Sequence, residues 1–238
     1  MATKTANHGP FLRRIRLETA AVEARCADAL RSVKLMPAAP GPIRIDRFAE
    51  KFFKLKLRFV ALAEARMGAV QFTDAGKVAG IFVCKNLAQD ETTVGKRKFR
   101  STVAHECGHG LLHGELFAEK LAADKLQPVL ATGSGEFHSV GETGFLCRGE
   151  ADLDSTPKYE WWEFQANMAM SALLLPWHLV TEAAKPFAAK CAEVRPALRD
   201  AVSESAASEL AEVFDVNPVM IRFRLKNWWK EALQLNLL

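Results

Sequence analysis

His105, Glu106 and His109 lie in the stretch STVAHECGHGLLHG, residues 101–114. On a helix, residues four apart sit one turn above each other on the same face. His105 and His109 can therefore direct two imidazoles at one ion. Glu106, next to the first of them, can reach a water on that ion. Two histidine ligands with a glutamate as general base is the HExxH arrangement of hydrolytic zinc chemistry. Histidine is scarce in this chain, six in all, so three within residues 105–113 form a pattern.

A catalytic zinc needs a third protein ligand and an open position for water. The continuation HExxHxxGxxH would supply a third histidine, but Leu112 and Glu115 stand where its glycine and histidine belong. The other source is a later helix. The stretch YEWWEFQANMAMSALLLP, residues 159–176, is strongly helical, and Glu163 is followed four residues on by Asn167. Glu163 is the expected third ligand. Asn167 offers a carbonyl oxygen to the ring N–H of a ligating histidine. Glu160, one turn before Glu163, competes for the ligand role.

HECGHGLLHG followed by EFQANMAMSALLLP resembles the ImmA/IrrE metallopeptidase family, whose usual wording is close to HELGHxLLH and then ExxANxFAxxLLMP. The resemblance covers roughly residues 40–180, with a weaker echo near the C-terminus. It places the family's two histidines on His105 and His109, its first glutamate on Glu106 and its later glutamate on Glu163. Met168-Ala169 and Leu175 depart from the pattern without touching a proposed ligand. Members of the family cleave or inactivate helix-turn-helix repressors encoded near them. The resemblance therefore implies a protein substrate of that class.

These residues need elements to hold them. Residues 1–12 read as a lead, and residues 13–34 as an amphipathic helix with Ile15, Val22, Cys26 and Leu30 on its apolar side. MPAAPGP, residues 36–42, reads as a linker. A short helix follows over 46–56, with Asp46 as N-cap. LKLRFVAL (55–62), AVQFT (69–73) and VAGIFVC (78–84) read as strands, with a hairpin turn at residues 74–77. The expected fold is α+β and zincin-like: a small sheet on the HExxH helix, then a mostly helical C-terminal half. The expected division is 1–42 (helix and linker), 43–185 (metallopeptidase domain) and 186–238 (helical, helix-turn-helix-like). An edge strand of such a sheet can hold an extended peptide by main-chain hydrogen bonds.

Composition bounds the setting. The chain has 238 residues, 49% hydrophobic and 25% charged, enough for a substantial core. A net charge of +4 says little about nucleic acid. Five scattered cysteines without a CxxC pair point to a reducing compartment. No apolar run approaches a membrane span, and no secretory signal is evident, so the expectation is a cytoplasmic protein.

Other segments carry candidate roles. Lys96, Arg97, Lys98 and Arg100 read as a solvated loop leading into the motif helix. Residues 114–158 read as a long, turn-rich loop that would form a lid or substrate wall, with His138 and Cys147 as weak metal candidates. His178, Tyr159 and His113 are rivals as donor to an oxyanion. The segment 208–228 reads as two short helices about a turn at Asp215–Pro218, with Asn217 as N-cap and Pro218 at the first helical position. Arg222, Arg224 and Lys226 would face DNA if that pair bound it; the favoured reading is a packing pair.

Two functions follow. The first is a zinc-dependent endopeptidase, with His105, His109 and Glu163 binding Zn²⁺ and Glu106 as general base. The second is a non-proteolytic regulator that binds a repressor or DNA, with zinc structural or vestigial. A structural zinc normally has four protein ligands, and no fourth is evident.

Overall fold

The helix that carries the motif begins well before it. In the computed structural model, which describes residues 11–62, 66–126, 144–146, 161–193 and 199–235, this helix (α4) spans Thr93–Leu112. Thr92 caps it, its hydroxyl oxygen accepting from the Gly95 N–H at 3.0 Å. Asp90 in turn accepts from the Thr92 hydroxyl at 2.6 Å. Nothing in residues 93–100 breaks a helix, so this cap starts it there. Lys96, Arg97, Lys98 and Arg100 accordingly lie on α4 and not in a loop.

Ahead of it come α1 (Thr19–Ser32), α2 (Ile45–Phe53), β1 (Arg58–Val60), β2 (Gly68–Phe72), β3 (Val78–Cys84) and the short α3 (Lys85–Ala88). Residues 13–18, expected at the start of the first helix, precede it. The cap of α2 is Arg44, without a side-chain cap bond; Asp46 sits in the first turn, where its charge still suits the helix dipole. The helix ends at Lys54, whose φ of 56° is left-handed. Of the expected strand 55–62, residues 58–60 pair in the sheet.

The sheet has four strands among the described residues, in the order β1-β3-β2-β4, where β4 is Gly144–Leu146. β2 and β3 form the expected antiparallel hairpin, with Val70 opposite Ile81. Gly76 makes the turn at φ 72°, and its N–H donates to the Thr73 carbonyl at 2.8 Å. β1 runs parallel to β3, and β4 antiparallel to β2.

Residues 114–126, expected within a long loop, form α5 (Gly114–Leu126); the run GELFAEKLAADKL is rich in strong helix formers. The rest of the lid segment, apart from β4, lies outside the described residues, as do His138, Cys147, Tyr159 and Glu160. The chain then continues as α6 (Trp161–Leu174), α7 (Trp177–Glu193), α8 (Arg199–Phe214) and α9 (Pro218–Leu235). The turn between the last two falls where expected: the Val219 N–H donates to Asn217 Oδ1 at 3.0 Å, and Pro218 opens α9.

One apolar core joins these elements. Val22, Cys26 and Leu30 of α1, Phe48 of α2, Val70 and Ile81 of the sheet, Val103 of α4, Leu173 of α6 and Phe214 of α8 all belong to it. The helix expected ahead of the Pro-rich connection thus shares the core of the region after it. The tight contact of α4 with α6 matters most for the site. A methyl built on Gly108 of α4 would stand 2.9 Å from the Ala166 carbonyl oxygen and 3.0 Å from Ala169 Cβ of α6. Small residues at this crossing let α6 lie directly on α4. No helix among the described residues is long and apolar enough to cross a membrane.

Candidate metal centre

Three side chains from α4 and α6 converge. His105 Nε2 lies 3.1 Å from Glu163 Oε2, and His109 Nε2 lies 3.4 Å from Glu163 Oε1. The two Nε2 atoms are 3.1 Å apart. A tetrahedral ion with nitrogen and oxygen ligands at about 2.0–2.2 Å sets its donors about 3.4 Å from one another. Two imidazoles and a carboxylate at this spacing are a donor set that can hold a metal ion. The helical period aligns His105 with His109, and the close crossing at Gly108 brings Glu163 within reach of both.

The far ring nitrogens are also bonded. His105 Nδ1 lies 2.9 Å from Asn167 Oδ1, a carbonyl oxygen that accepts the ring proton. The sequence expectation for Asn167 matches this geometry. His109 Nδ1 lies 3.0 Å from His113 Nδ1, and His113 Nε2 lies 3.0 Å from Gln165 Oε1. His113 is fully buried behind His109. Its ring is turned to His109 and Gln165, away from the convergence point, which removes it from the rivals for an oxyanion donor. His178 lies in the first turn of α7, and Tyr159 lies outside the described residues.

Electrostatics follow the burial. Burial opposes charge on Glu163, but the facing His109 and His105 outweigh it and hold its carboxyl far below the usual range. Burial likewise opposes charge on His105, and there the Glu163 carboxylate wins and raises the imidazole. For His109 burial wins and lowers it. His113, buried and next to His109, is pushed down to about 3 and is a neutral imidazole at pH 7.

Glu106 is fully buried on α4. Its carboxylate lies against the start of β2, where a methyl on Gly68 would stand 2.6 Å from Oε1. The structure thus places the general-base candidate between the motif helix and the sheet. Sequence reasoning missed four contributors: Gly68, Gly108, Gln165 and the position of His113. The only signal available was the histidine triplet at four-residue spacing.

The basic residues of the motif helix have structural partners. Arg100 Nε donates to the Asp215 carbonyl at 2.9 Å, and Arg97 pairs with Glu212 at 2.7 Å. Both neutralise the C-terminal end of α8. In α9, Arg222 pairs with Glu204 at 2.7 Å, and Arg224 pairs with Glu23 of α1.

No protein-family model matches this chain, and no curated protein matches it.

Proposed function

We propose that the chain is a zinc-dependent endopeptidase with a zincin-like site. The observation that carries this reading is the convergence of His105, His109 and Glu163 with Glu106 one residue along the same helix. His₂Glu is a catalytic donor set, because it leaves a coordination position for water. Zinc bound by His105, His109 and Glu163 would supply acidification of a water and polarisation of the scissile carbonyl. Glu106 takes the proton from the attacking water at a carboxylate oxygen and delivers it to the departing amine nitrogen. Asn167 holds the His105 ring, and the α4–α6 crossing holds Glu163 against both imidazoles. The proposed substrate is a helix-turn-helix repressor protein; the support for that class is the resemblance of the two motifs. Cys26, Cys84, Cys107 and Cys191 are free thiols, in keeping with the reducing, cytoplasmic setting we propose.

The regulator reading that relies on DNA contact by α9 has less support. Arg222 and Arg224, two of the three residues that this reading turns to DNA, are taken up in ion pairs.

Metal content by mass spectrometry tests the proposal. About one zinc per wild-type chain, lost or much weakened in Glu163→Ala, is the expected result. Glu106→Gln should keep zinc and lose cleavage of a repressor substrate. Wild type without zinc, or cleavage retained in Glu106→Gln, overturns the reading.

A further inference from the structure

We propose that His113 and Gln165 are positioning residues that fix the tautomer of His109 so that its Nε2 lone pair faces the metal position. The inference rests on the metal reading of His105, His109 and Glu163.

The chain of hydrogen bonds starts at a group with only one role. The Ile15 backbone carbonyl can only accept, and the Gln165 atom facing it at 2.9 Å is Nε2. The amide is thereby oriented, and its Oε1 faces His113 Nε2 at 3.0 Å. Oε1 can only accept, so His113 Nε2 carries the proton. Full burial disfavours a charged ring at His113, so it carries one N–H, on Nε2, and its Nδ1 is a bare acceptor. His109 Nδ1, 3.0 Å away, must then be the donor. With its proton on Nδ1, His109 turns an unprotonated Nε2 toward His105 and Glu163.

Burial makes this chain decisive. His109 and His113 are fully buried and Gln165 is 5% exposed, so solvent does not supply competing partners freely. The first link also reaches outside the site's own helices. Ile15 lies in the segment before α1 that packs on α5 and α6: Phe11 meets Phe117 and Trp162 edge-on, and Arg13 pairs with Glu119 at 2.7 Å. Ile15, 90 residues before His105, thus sets the polarity of a bond next to His109.

The test reads the tautomer directly. Imidazole ¹⁵N NMR on the metal-free chain should show His109 with its proton on Nδ1. His113→Leu removes the acceptor while keeping bulk, and should shift His109 toward the Nε2–H form. Zinc affinity by chelator competition should fall about 10- to 100-fold, the usual effect of losing a partner behind a ligating histidine. His113→Asn places an acceptor oxygen where Nδ1 stood and should restore both readouts. Gln165→Leu should weaken both in the same direction. Wild-type His109 protonated at Nε2, or His113→Leu with unchanged tautomer and affinity, overturns the proposal. So does a His113→Asn variant that folds but matches His113→Leu, because that outcome assigns the residue to packing alone. A wild type that takes up no zinc overturns the metal reading, and the metal-free NMR result separates that failure from a failure of the relay itself.

Discussion

Gly68 of β2 faces the carboxylate of Glu106 with no room for a side chain: a methyl there would lie 2.6 Å from Oε1 and 2.6 Å from Thr102 Cγ2. The strand therefore fixes where the general-base candidate can sit. Gly68→Ala has no helix or turn conformation to upset, so its effect reports on this contact. Moving Glu106 should lower peptide cleavage about 10- to 100-fold, short of the full loss of a general base. Zinc content should stay at the wild-type level, because the added methyl meets the side chains of Glu106 and Thr102 and none of the three candidate ligands. Cleavage and metal assays on one preparation check both outcomes.

Gly108 is the counterpart between helices. In the interior of an exposed helix, Gly→Ala would stabilise by about 1 kcal/mol. Here the added methyl meets the Ala166 carbonyl oxygen at 2.9 Å, a backbone atom that yields only if α6 moves. Gly108→Ala should therefore destabilise, by about 1–3 kcal/mol net, as overpacking does. It should also weaken zinc binding, since Glu163 rides on α6. Denaturant midpoints and chelator competition measure the two effects; a stabilised variant with wild-type affinity would contradict the close crossing.

The convergence of His105, His109 and Glu163 could be read from the sequence because helix periodicity and residue chemistry are local facts. His105 and His109 share a face by spacing alone, and Glu163 with Asn167 repeats that logic on α6. The hairpin was legible for a similar reason, since residues 74–77 carry the turn and β-branched runs flank it. What was not legible is pairing between distant residues. Gln165 meets His113 across 52 positions, and Arg100 meets Asp215 across 115. A basic run such as Lys96–Arg100 looks solvated until its partners at the end of α8 are known. The early start of α4 was hidden because Thr92 and Asp90 read equally well as loop residues. The α+β class came from element order; the parallel pairing of β1 with β3 did not.

Arg224 binds three elements together. Its guanidinium pairs with Glu23 of α1, donates from Nε to the Leu175 carbonyl at 3.0 Å and lies 5.2 Å from the Trp177 ring centroid. The Arg224 side chain is 8% exposed and that of Glu23 is 24% exposed, so screening by solvent is incomplete. Arg224→Met leaves Glu23 without its charge partner and should cost about 2–4 kcal/mol, somewhat less than a fully buried pair. Glu23→Gln in the same chain should recover part of that loss. Urea unfolding of wild type, Arg224→Met, Glu23→Gln and the double variant gives the coupling between the two sites.

Cys26 offers a test of the core that joins α1 to α6. Its Sγ donates to the Ala169 carbonyl at 3.7 Å, and burial, aided by the Glu23 charge, pushes the thiol up to about 12. At pH 8 the thiolate is then about one part in ten thousand, against roughly a quarter for a free cysteine. Iodoacetamide should leave Cys26 unmodified in the native chain and label it once urea unfolds the protein, as peptide mapping will show. The sign for stability follows from the same shift. The folded chain keeps this thiol neutral while the unfolded chain ionises it above about pH 8.5. Its contribution is therefore fully present below that pH and declines as pH rises toward 12. Cys26→Ala should flatten this alkaline limb while lowering stability at neutral pH, because it leaves a cavity between α1 and α6. An unchanged alkaline slope in Cys26→Ala would place the alkaline sensitivity in another group.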